Sequence, residues 1–414
     1  MKKIFSRITC VWQGMNLMLR ILVGIIVGTL LALAFPGFHP VAIPGILFVG
    51  ALKAIAPVLV AILVVSSVAR ARAGIGGRFR TVIGLYMVST LLAATLAVVA
   101  SRLFPVEMIL AGVSGAESQA PQQLGDVFST IAQNLMSNPV EAVAKANYLS
   151  ILLWAIIIGL ALKKIASQGT IDIVTEWAET ISTVVRWVIQ CAPFGIMGLV
   201  FSTVSQSGLH IFSTYGRLLL LLVGCMLLVA LVLNPLIVAV MLRRNPYPLV
   251  LQCLRESAVS AFFTRSSAAN IPENMALCKR LGLDDDFYSV SIPLGCTINM
   301  NGAAVTITTM TMATCYTMGI DVSLASALVL SILATLGACG ASGVAGGSLL
   351  LIPMACALFG IGNDVAMQVV AVGFIIGVVQ DSVETAINSS ADVVFTATAE
   401  MYERNVKTQK TIQK

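Results

Sequence analysis

The feature that most constrains this chain is a set of apolar stretches long enough to cross a lipid bilayer. Four of them each form most or all of a spanning helix: residues 21–35, 82–101, 149–162 and 218–241. One span needs about 20 apolar residues. Only 11% of the 414 residues are charged, whereas a water-soluble domain has about 25%. The sequence therefore predicts an all-α integral membrane protein.

Positive charges divide the ends of the apolar stretches into two kinds. Lys and Arg cluster before the first stretch and near residues 70–80, 163–164 and 243–244, and the intervening ends are neutral or acidic. The positive-inside rule places the cationic ends, and the N-terminus with them, in the cytoplasm. The cations of residues 404–414 predict the same side for the C-terminus. Because this topology explains the net charge of +6, no nucleic-acid partner is predicted.

Two later segments break the alternation of charge. Residues 251–277 have cations at both ends and small polar residues with a proline in the middle. Residues 324–361 have an aspartate near each end, no cation, and Gly and Ser at the centre. Each segment is predicted to enter and leave on one side, the first from the cytoplasm and the second from outside. The alternative is that both are ordinary kinked spans, which would break the charge alternation.

The prediction is eight transmembrane helices plus two re-entrant helical hairpins of opposite orientation. Opposed broken elements are typical of inverted-repeat secondary transporters. The nine cysteines are scattered singly and there are only two histidines, so neither a disulfide frame nor a zinc site is predicted. No HExxH or GxSxG motif is present, so the chain is predicted to move a small polar solute and not to be an enzyme. An ion channel is the alternative in another class, but no repeated pore-lining ring is apparent.

The last apolar stretch carries a stripe of polar residues. They stand at i, i+3, i+4, i+7 and i+11 and are Asp381, Glu384, Thr385, Asn388 and Asp392. These offsets share one face of a helix. A charge at bilayer depth costs at least about 2.5–3.5 kcal/mol, so three carboxylates need cations or the ammonium group of a ligand. The alternative is a polar seam at the cytoplasmic surface.

Three further segments interrupt apolar sequence with small or polar residues. Residues 298–303, INMNGA, would let a helix unwind and turn carbonyl oxygens toward sodium; a glycine packing contact is the alternative. Residues 264–270 and 340–347 lie at the predicted hairpin tips. Helix ends at such tips favour a carboxylate, although packing of small residues would also explain them.

Five motifs occur in order along the chain. They are YMVST at 86–90, NPVEA at 138–142, TRSSAANIP at 264–272, PLGCTINMNG at 293–302 and DSVETAINSSAD at 381–392. With them the chain resembles the dicarboxylate/amino acid:cation symporter family, which has the glutamate-transporter fold. The likeness extends over most of the chain.

The resemblance implies a binding site for an amino acid. Asp381 would hold its α-ammonium group, Asn388 and the backbone at Ser266 and Ser267 would hold its α-carboxylate, and Thr385 would line the site. The remaining residues implied at the substrate are Glu384, Ser342 and Gly343.

The resemblance also implies sodium as the co-transported ion. One sodium would bind Asp392 and Asn388 with carbonyls of Gly295 and Asn299. A second would bind carbonyls of the following residues: Thr297, Thr335, Leu336 and Ala338. A possible third position comprises Tyr86, Ser89, Thr90 and Asn301, but family members have a charged aspartate where Asn301 stands, so this position has lost its charge.

One departure from the family indicates the substrate. Members that carry acidic amino acids have an arginine where this chain has Glu384. A carboxylate there would repel aspartate or glutamate, and it could accept a hydrogen bond from a hydroxyl. A small neutral substrate such as serine or threonine is therefore predicted, with acidic amino acids or C4-dicarboxylates as the alternative. Arg265 is predicted to offset Glu384 or Asp381, unless it faces an aqueous vestibule.

The resemblance finally implies how the protein is organised. It implies a homotrimer in the bacterial inner membrane, with a transport domain that slides past a scaffold in each protomer. Residues 1–80 and 106–210 would form the scaffold. Residues 81–105 and 211–414 would form the transport domain.

Overall fold

The computed structural model describes residues 15, 17–70, 77–110, 137–339, 341 and 346–412. Every regular element within these ranges is a helix, which confirms the predicted all-helical class for them. The α-helices, in chain order, are α1 (Leu17–Ala34), α2 (Ile43–Arg70), α3 (Gly77–Leu103), α4 (Pro139–Ala144), α5 (Tyr148–Ile165), α6 (Gln168–Gln190), α7 (Ala192–Ser207), α8 (His210–Leu228), α9 (Asn234–Leu242), α10 (Tyr247–Cys253), α11 (Val259–Thr264), α12 (Ile271–Arg280), α13 (Asp285–Ile298), α14 (Asn301–Thr317), α15 (Leu324–Ala338), α16 (Ile352–Ala357) and α17 (Asn363–Ile412). Short 3₁₀-helices occupy His39–Ala42 and Leu349–Leu351, and π-helical turns occupy Val229–Leu233 and Leu254–Ala258.

Six of the helical segments in the described ranges are long and apolar enough to cross a bilayer. A seventh is obtained if α6 and the first part of α7, which meet at a bend of 54°, count as one span. α1 and α15 are apolar as well, but shorter. The chain is therefore a multi-pass α-helical membrane protein.

The predicted interruption within residues 298–303 is present. α13 ends at Ile298 and α14 begins at Asn301. Between them, Asn299 has φ −95° and ψ 79°, and Met300 has φ −117° and ψ 54°. The backbone therefore leaves the helical conformation at the position where polar residues and a glycine follow an apolar run.

The two segments predicted as hairpins are each broken into two helical arms. In the first, α10, a π-turn and α11 form one arm and α12 forms the other. Arg265 ends the first arm with φ 52° and ψ 32°, a left-handed conformation that is rare outside glycine. In the second, α15 and α16 are the arms, and much of the predicted tip (residues 340 and 342–345) lies outside the described residues.

The helices pack as two groups. α2 packs against α5, α6 and α7, and α7 also packs against α1. The second group surrounds α17, whose 50 residues contact α3, α8, α13, α14 and both broken segments. The groups meet where Phe48 of α2 packs edge-on against Phe374, with ring centroids 5.3 Å apart, and where Lys53 pairs with Asp364.

Close helix packing in the first group depends on glycines. A Cβ atom at Gly24 would lie 2.3 Å from the carbonyl oxygen of Pro193, and one at Gly28 would lie 2.4 Å from that of Met197. Small residues at helix crossings are typical of membrane proteins, where close contact between backbones supplies the packing energy. These glycines therefore hold α1 directly against α7.

Candidate binding site

The polar stripe of α17 faces the protein interior. Asp381, Glu384, Thr385, Asn388 and Asp392 are all buried. They lie against α14, α13 and the two broken segments. The alternative of a polar seam on the cytoplasmic surface is therefore wrong for these five side chains.

Asp381 is bound from both broken segments. The Nε and Nη2 atoms of Arg265 each lie 2.7 Å from its Oδ2 atom. The backbone N–H of Gly346 donates a hydrogen bond to Oδ1 at 3.0 Å. Arg265 thus pairs with Asp381 and not with Glu384, and the side chains of this pair are 12% and 4% exposed. The alternative of an arginine facing an aqueous vestibule does not fit this geometry.

Glu384 accepts hydrogen bonds from uncharged groups. Its Oε2 atom accepts from Thr306 at 2.6 Å, from Ser348 at 2.9 Å and from Gln380 at 2.5 Å. The three donors come from α14, from the end of the second tip and from α17 itself. No sequence pattern groups these three residues, although Gln380 is a polar residue at the end of an apolar run.

Gly302 allows α14 to approach α17 at Glu384. A Cβ atom at Gly302 would lie 2.9 Å from Cα of Glu384 and 3.0 Å from its backbone oxygen. The N–H of Gly302 donates to Oδ1 of Asn388 at 2.7 Å. This contact fixes the amide side chain of Asn388 against the start of α14.

The residues predicted for the first sodium lie together. Nδ2 of Asn299 donates to Oδ1 of Asp392 at 2.8 Å and to the backbone oxygen of Asn388 at 3.4 Å. A Cβ atom at Gly295 would lie 2.7 Å from the same oxygen of Asp392. The group offers carboxylate, amide and carbonyl oxygens, which are the hard donors that suit a hard cation.

The residues of the third predicted position are also neighbours. Oδ1 of Asn301 accepts hydrogen bonds from Thr90 at 3.0 Å and Ser89 at 3.1 Å. The backbone oxygen of Tyr86 accepts from both hydroxyls as well. Nδ2 of Asn301 donates to Asn234 at 3.4 Å. Asn234 was not predicted from the sequence, where its signal was an amide within an apolar stretch.

The residues predicted to bind the second sodium lie near the ends of α13 and α15. Thr335 and Ala338 are buried, and Leu336 is exposed. The Thr297 hydroxyl donates to the backbone of its own helix. Sγ of Cys339 lies 3.5 Å from the backbone oxygen of Ile298, so the end of α15 lies beside the end of α13.

The other predicted substrate residues are placed as follows. Ser267 is buried, and the Ser266 hydroxyl accepts a hydrogen bond from the N–H of Ala269 at 3.2 Å. The Thr385 hydroxyl donates to the backbone oxygen of Asp381 at 2.8 Å. Ser342 and Gly343 lie outside the described residues.

A second polar cluster, missed by the sequence analysis, attaches the first broken segment to α17. Nδ2 of Asn270 donates to the Ser389 hydroxyl at 2.8 Å, and Nδ2 of Asn274 donates to the backbone oxygen of Ser389 at 3.1 Å. Ser257 donates to Asn274 at 2.6 Å. These bonds attach both arms of the first broken segment to α17 at Ser389, the residue that follows Asn388 of the stripe.

Comparison with known proteins gives one consistent result. The model of the sodium:dicarboxylate symporter family matches residues 17–401. Three similar proteins are each named serine/threonine transporter SstT. The one from Bifidobacterium adolescentis is 57% identical over 392 residues, covering 95% of this chain and 91% of that protein. Those from Streptococcus agalactiae and Streptococcus thermophilus are 53% and 50% identical, covering 94% and 95% of this chain and 96% and 98% of theirs. The chain therefore belongs to the sodium:dicarboxylate symporter family, as the resemblance predicted.

Proposed function

We propose that this protein is a sodium-coupled symporter for serine and threonine. The observation that carries this proposal is the buried position of Glu384. Among the described residues its hydrogen-bond donors are all uncharged, so this position offers no cation to the side-chain carboxylate of an acidic amino acid or a dicarboxylate. The names of the similar transporters support the same substrates.

The substrate would bind along the stripe. Asp381 would hold its α-ammonium group, sharing its charge with Arg265. Asn388 and the backbone at Ser266 and Ser267 would hold its α-carboxylate. The remaining residues proposed to line the site are Glu384, Thr385, Ser342 and Gly343.

Sodium would bind beside the substrate as cargo. The first ion would bind Asp392, Asn388, Gly295 and Asn299, which is supported by their short mutual distances. The second would bind backbone oxygens of Thr297, Thr335, Leu336 and Ala338. A third ion would bind at the position formed by Tyr86, Ser89, Thr90 and Asn301, more weakly than the other two because Asn301 is uncharged and its amide oxygen accepts two hydroxyls.

The proposed architecture has eight spans and two re-entrant hairpins. The six long segments, the bent pair α6–α7 and α1 make eight spans. The 18 residues of α1 extend for about 27 Å, close to the hydrocarbon thickness of about 30 Å. Both termini would lie in the cytoplasm of a bacterium, with the protein in the inner membrane.

Transport would follow an elevator mechanism. Sodium and the amino acid enter from outside beneath the second hairpin, and sodium neutralises Asp392 so that the tip can close. The transport domain, residues 81–105 and 211–414, then slides past the scaffold, residues 1–80 and 106–210, and opens inward. The packing of the helices in two groups supports this division. The sodium gradient and about 2.3 kcal/mol per net charge per 100 mV would drive it.

A homotrimer is proposed from the resemblance, and α6 supports a subunit contact. Its residues Asp172, Glu176, Glu179 and Arg186 are exposed. Charged side chains are costly against lipid, so this face suits a neighbouring protomer better than acyl chains.

The test is uptake of labelled serine by the purified protein in proteoliposomes. An inward sodium gradient should drive accumulation, whereas lithium or proton gradients alone should not. Unlabelled threonine should compete, and aspartate and succinate should not. Competition by aspartate as strong as that by threonine would favour the acidic alternative, and chemically altered substrate would indicate an enzyme.

A further inference from the structure

Gln380 is a buried polar residue to which the proposed function gives no role. It lies on α17 one turn before Glu384. Its Nε2 atom donates to Glu384 at 2.5 Å and to the Thr306 hydroxyl at 2.7 Å. The nitrogen of this amide therefore faces Glu384 and Thr306. The orientation of the Gln380 side chain is therefore set by its neighbours.

The oxygen of the same amide is buried without a partner. Oε1 of Gln380 has no hydrogen-bond partner among the residues that the structure describes. An unsatisfied buried acceptor is destabilising, and native proteins contain few of them. A donor that arrives with the substrate would remove this cost.

The side chain that carries this oxygen bonds Glu384, which is proposed to line the substrate site. Ser348, which donates to Glu384, is two residues from Gly346, whose N–H binds Asp381. One short segment therefore joins the Gln380 cluster to the residue proposed to hold the ammonium group. Glu384 was itself predicted to accept the substrate hydroxyl, but its Oε2 already accepts three hydrogen bonds.

We infer that Oε1 of Gln380 accepts the hydrogen bond of the substrate's side-chain hydroxyl, and that Glu384, Thr306 and Ser348 are positioning residues that hold the amide in this orientation. The inference rests on the proposed function, because it takes serine and threonine as the substrates. Both carry a hydroxyl donor, and alanine does not. A site built to bind a hydroxyl discriminates against an analogue that lacks one, because its acceptor is then left unpaired.

The first test replaces Gln380 by methionine, which has a similar length and no amide. The affinities for serine and alanine are measured as sodium-dependent competition in proteoliposomes. In the Gln380→Met variant, serine and threonine should bind about tenfold more weakly, and alanine should bind as well as before or better. The ratio of the serine affinity to the alanine affinity reports recognition of the hydroxyl. Retained alanine binding shows that the variant is folded.

Thr308→Val is the matched control. Its hydroxyl is likewise buried without a described partner, but it is two residues from Thr306 and so lies on another face of α14. This variant should keep the wild-type ratio of serine to alanine affinity. Equal weakening of serine and alanine in Gln380→Met would indicate a merely structural role and overturn the inference.

The second test changes the ligand and needs no variant. β-Chloroalanine and O-methylserine are close in size to serine and threonine but have no hydroxyl donor. Both should compete with serine about tenfold more weakly than threonine does in the wild-type protein. Competition equal to that of threonine would overturn the inference while leaving the proposed function intact. Absence of sodium-dependent serine uptake by the wild type would instead refute the proposed function.

Discussion

At the scale of single residues, the buried carboxylate of Asp392 is the group on which sodium coupling should depend most. It accepts a hydrogen bond from the uncharged amide of Asn299, and a buried charge of this kind needs a cation. In Asp392→Asn the affinity for sodium should fall at least about tenfold, and sodium-driven uptake should be lost. The measurement is serine uptake as a function of sodium concentration.

The matched control is Asp364→Asn. Asp364 begins the same helix, but its side chain is 86% exposed. Its removal should leave the sodium dependence unchanged. Normal sodium dependence in Asp392→Asn would refute the assignment of this carboxylate.

The pair of Arg265 and Asp381 gives a second prediction at this scale. Removal of one partner leaves the other charge buried, which is more destabilising than removal of both. A double-mutant cycle with Arg265→Gln and Asp381→Asn should therefore give a coupling energy of about 1–3 kcal/mol. The measurement is the free energy of unfolding in detergent. A cycle of Arg265→Gln with Glu384→Gln should be closer to additive, and equal coupling in the two cycles would contradict the observed pairing.

At the scale of elements, the contact between α14 and α17 depends on the absence of a side chain at Gly302. The methyl group in Gly302→Ala would meet backbone atoms of Glu384 at 2.9–3.0 Å, and such overpacking costs about 1–3 kcal/mol. The thermal midpoint in detergent and serine uptake should both fall. Gly216→Ala on α8, where nothing lies within 4 Å, should leave both unchanged or raise stability slightly. Equal midpoints for the two variants would argue against the close approach.

The ends of α3, α13 and α17 are joined by ion pairs outside the apolar region. Arg78 contacts Asp284 at 2.7 Å and Glu403 at 3.3 Å. The hydrogen bond from Arg78 is the largest cause that lowers the pKa of the Asp284 carboxyl below its ordinary value, followed by the bond from the N–H of Asp286. A lowered folded-state pKa means that the stabilisation is present above the unfolded-state pKa and is lost as the pH falls through the folded-state pKa.

Asp284→Asn tests this linkage. Asparagine retains the ability to cap α13 but removes the charge, so the variant should melt at a lower temperature than the wild type at pH 7. The difference should shrink as the pH falls below about 3.9, the ordinary pKa of aspartate. The measurement is the thermal midpoint in detergent between pH 7 and pH 3. A difference independent of pH would show that the charge of Asp284 contributes nothing.

At the scale of the whole molecule, the charge pattern predicts on which side each loop lies. In a background with Cys10 and Cys191 replaced by serine, Asp321→Cys should react with an impermeant maleimide in intact cells. Lys164→Cys should react only after permeabilisation, since it follows a cationic end of a span. Arg244→Cys is the control for the cytoplasmic side. Labelling of Lys164→Cys in intact cells would reverse the proposed topology.

The sequence predicted those features that a local pattern encodes. The break between Ile298 and Asn301 followed from polar residues and glycine within an apolar run, and the stripe of α17 followed from helical spacing. Periodicity gives the face of a helix but not the neighbour that it meets. The grouping of Thr306, Ser348 and Gln380 was therefore missed, because it depends on how three distant segments pack.

The choice of partner for Arg265 shows the same limit. Asp381 and Glu384 are three residues apart and lie on one helix face, so the sequence left both open. The left-handed backbone at Arg265 and the position of the first tip against α17 decide for Asp381. Backbone conformation at a helix end is set by tertiary contacts as well as by local sequence.

The π-turn at Val229–Leu233 lies immediately before Asn234, the partner of Asn301. A π-turn holds about one residue more than an α-turn. If the same residues formed regular i to i−4 bonds instead, the extra residue would add its full rotation, and everything beyond the turn would be rotated by about 100° relative to the preceding helix. Asn234 would then face away from Asn301, and the more regular helix would lose the hydrogen bond between these two residues. The π-turn therefore determines the direction in which the side chains that follow it face around the axis of this apolar segment.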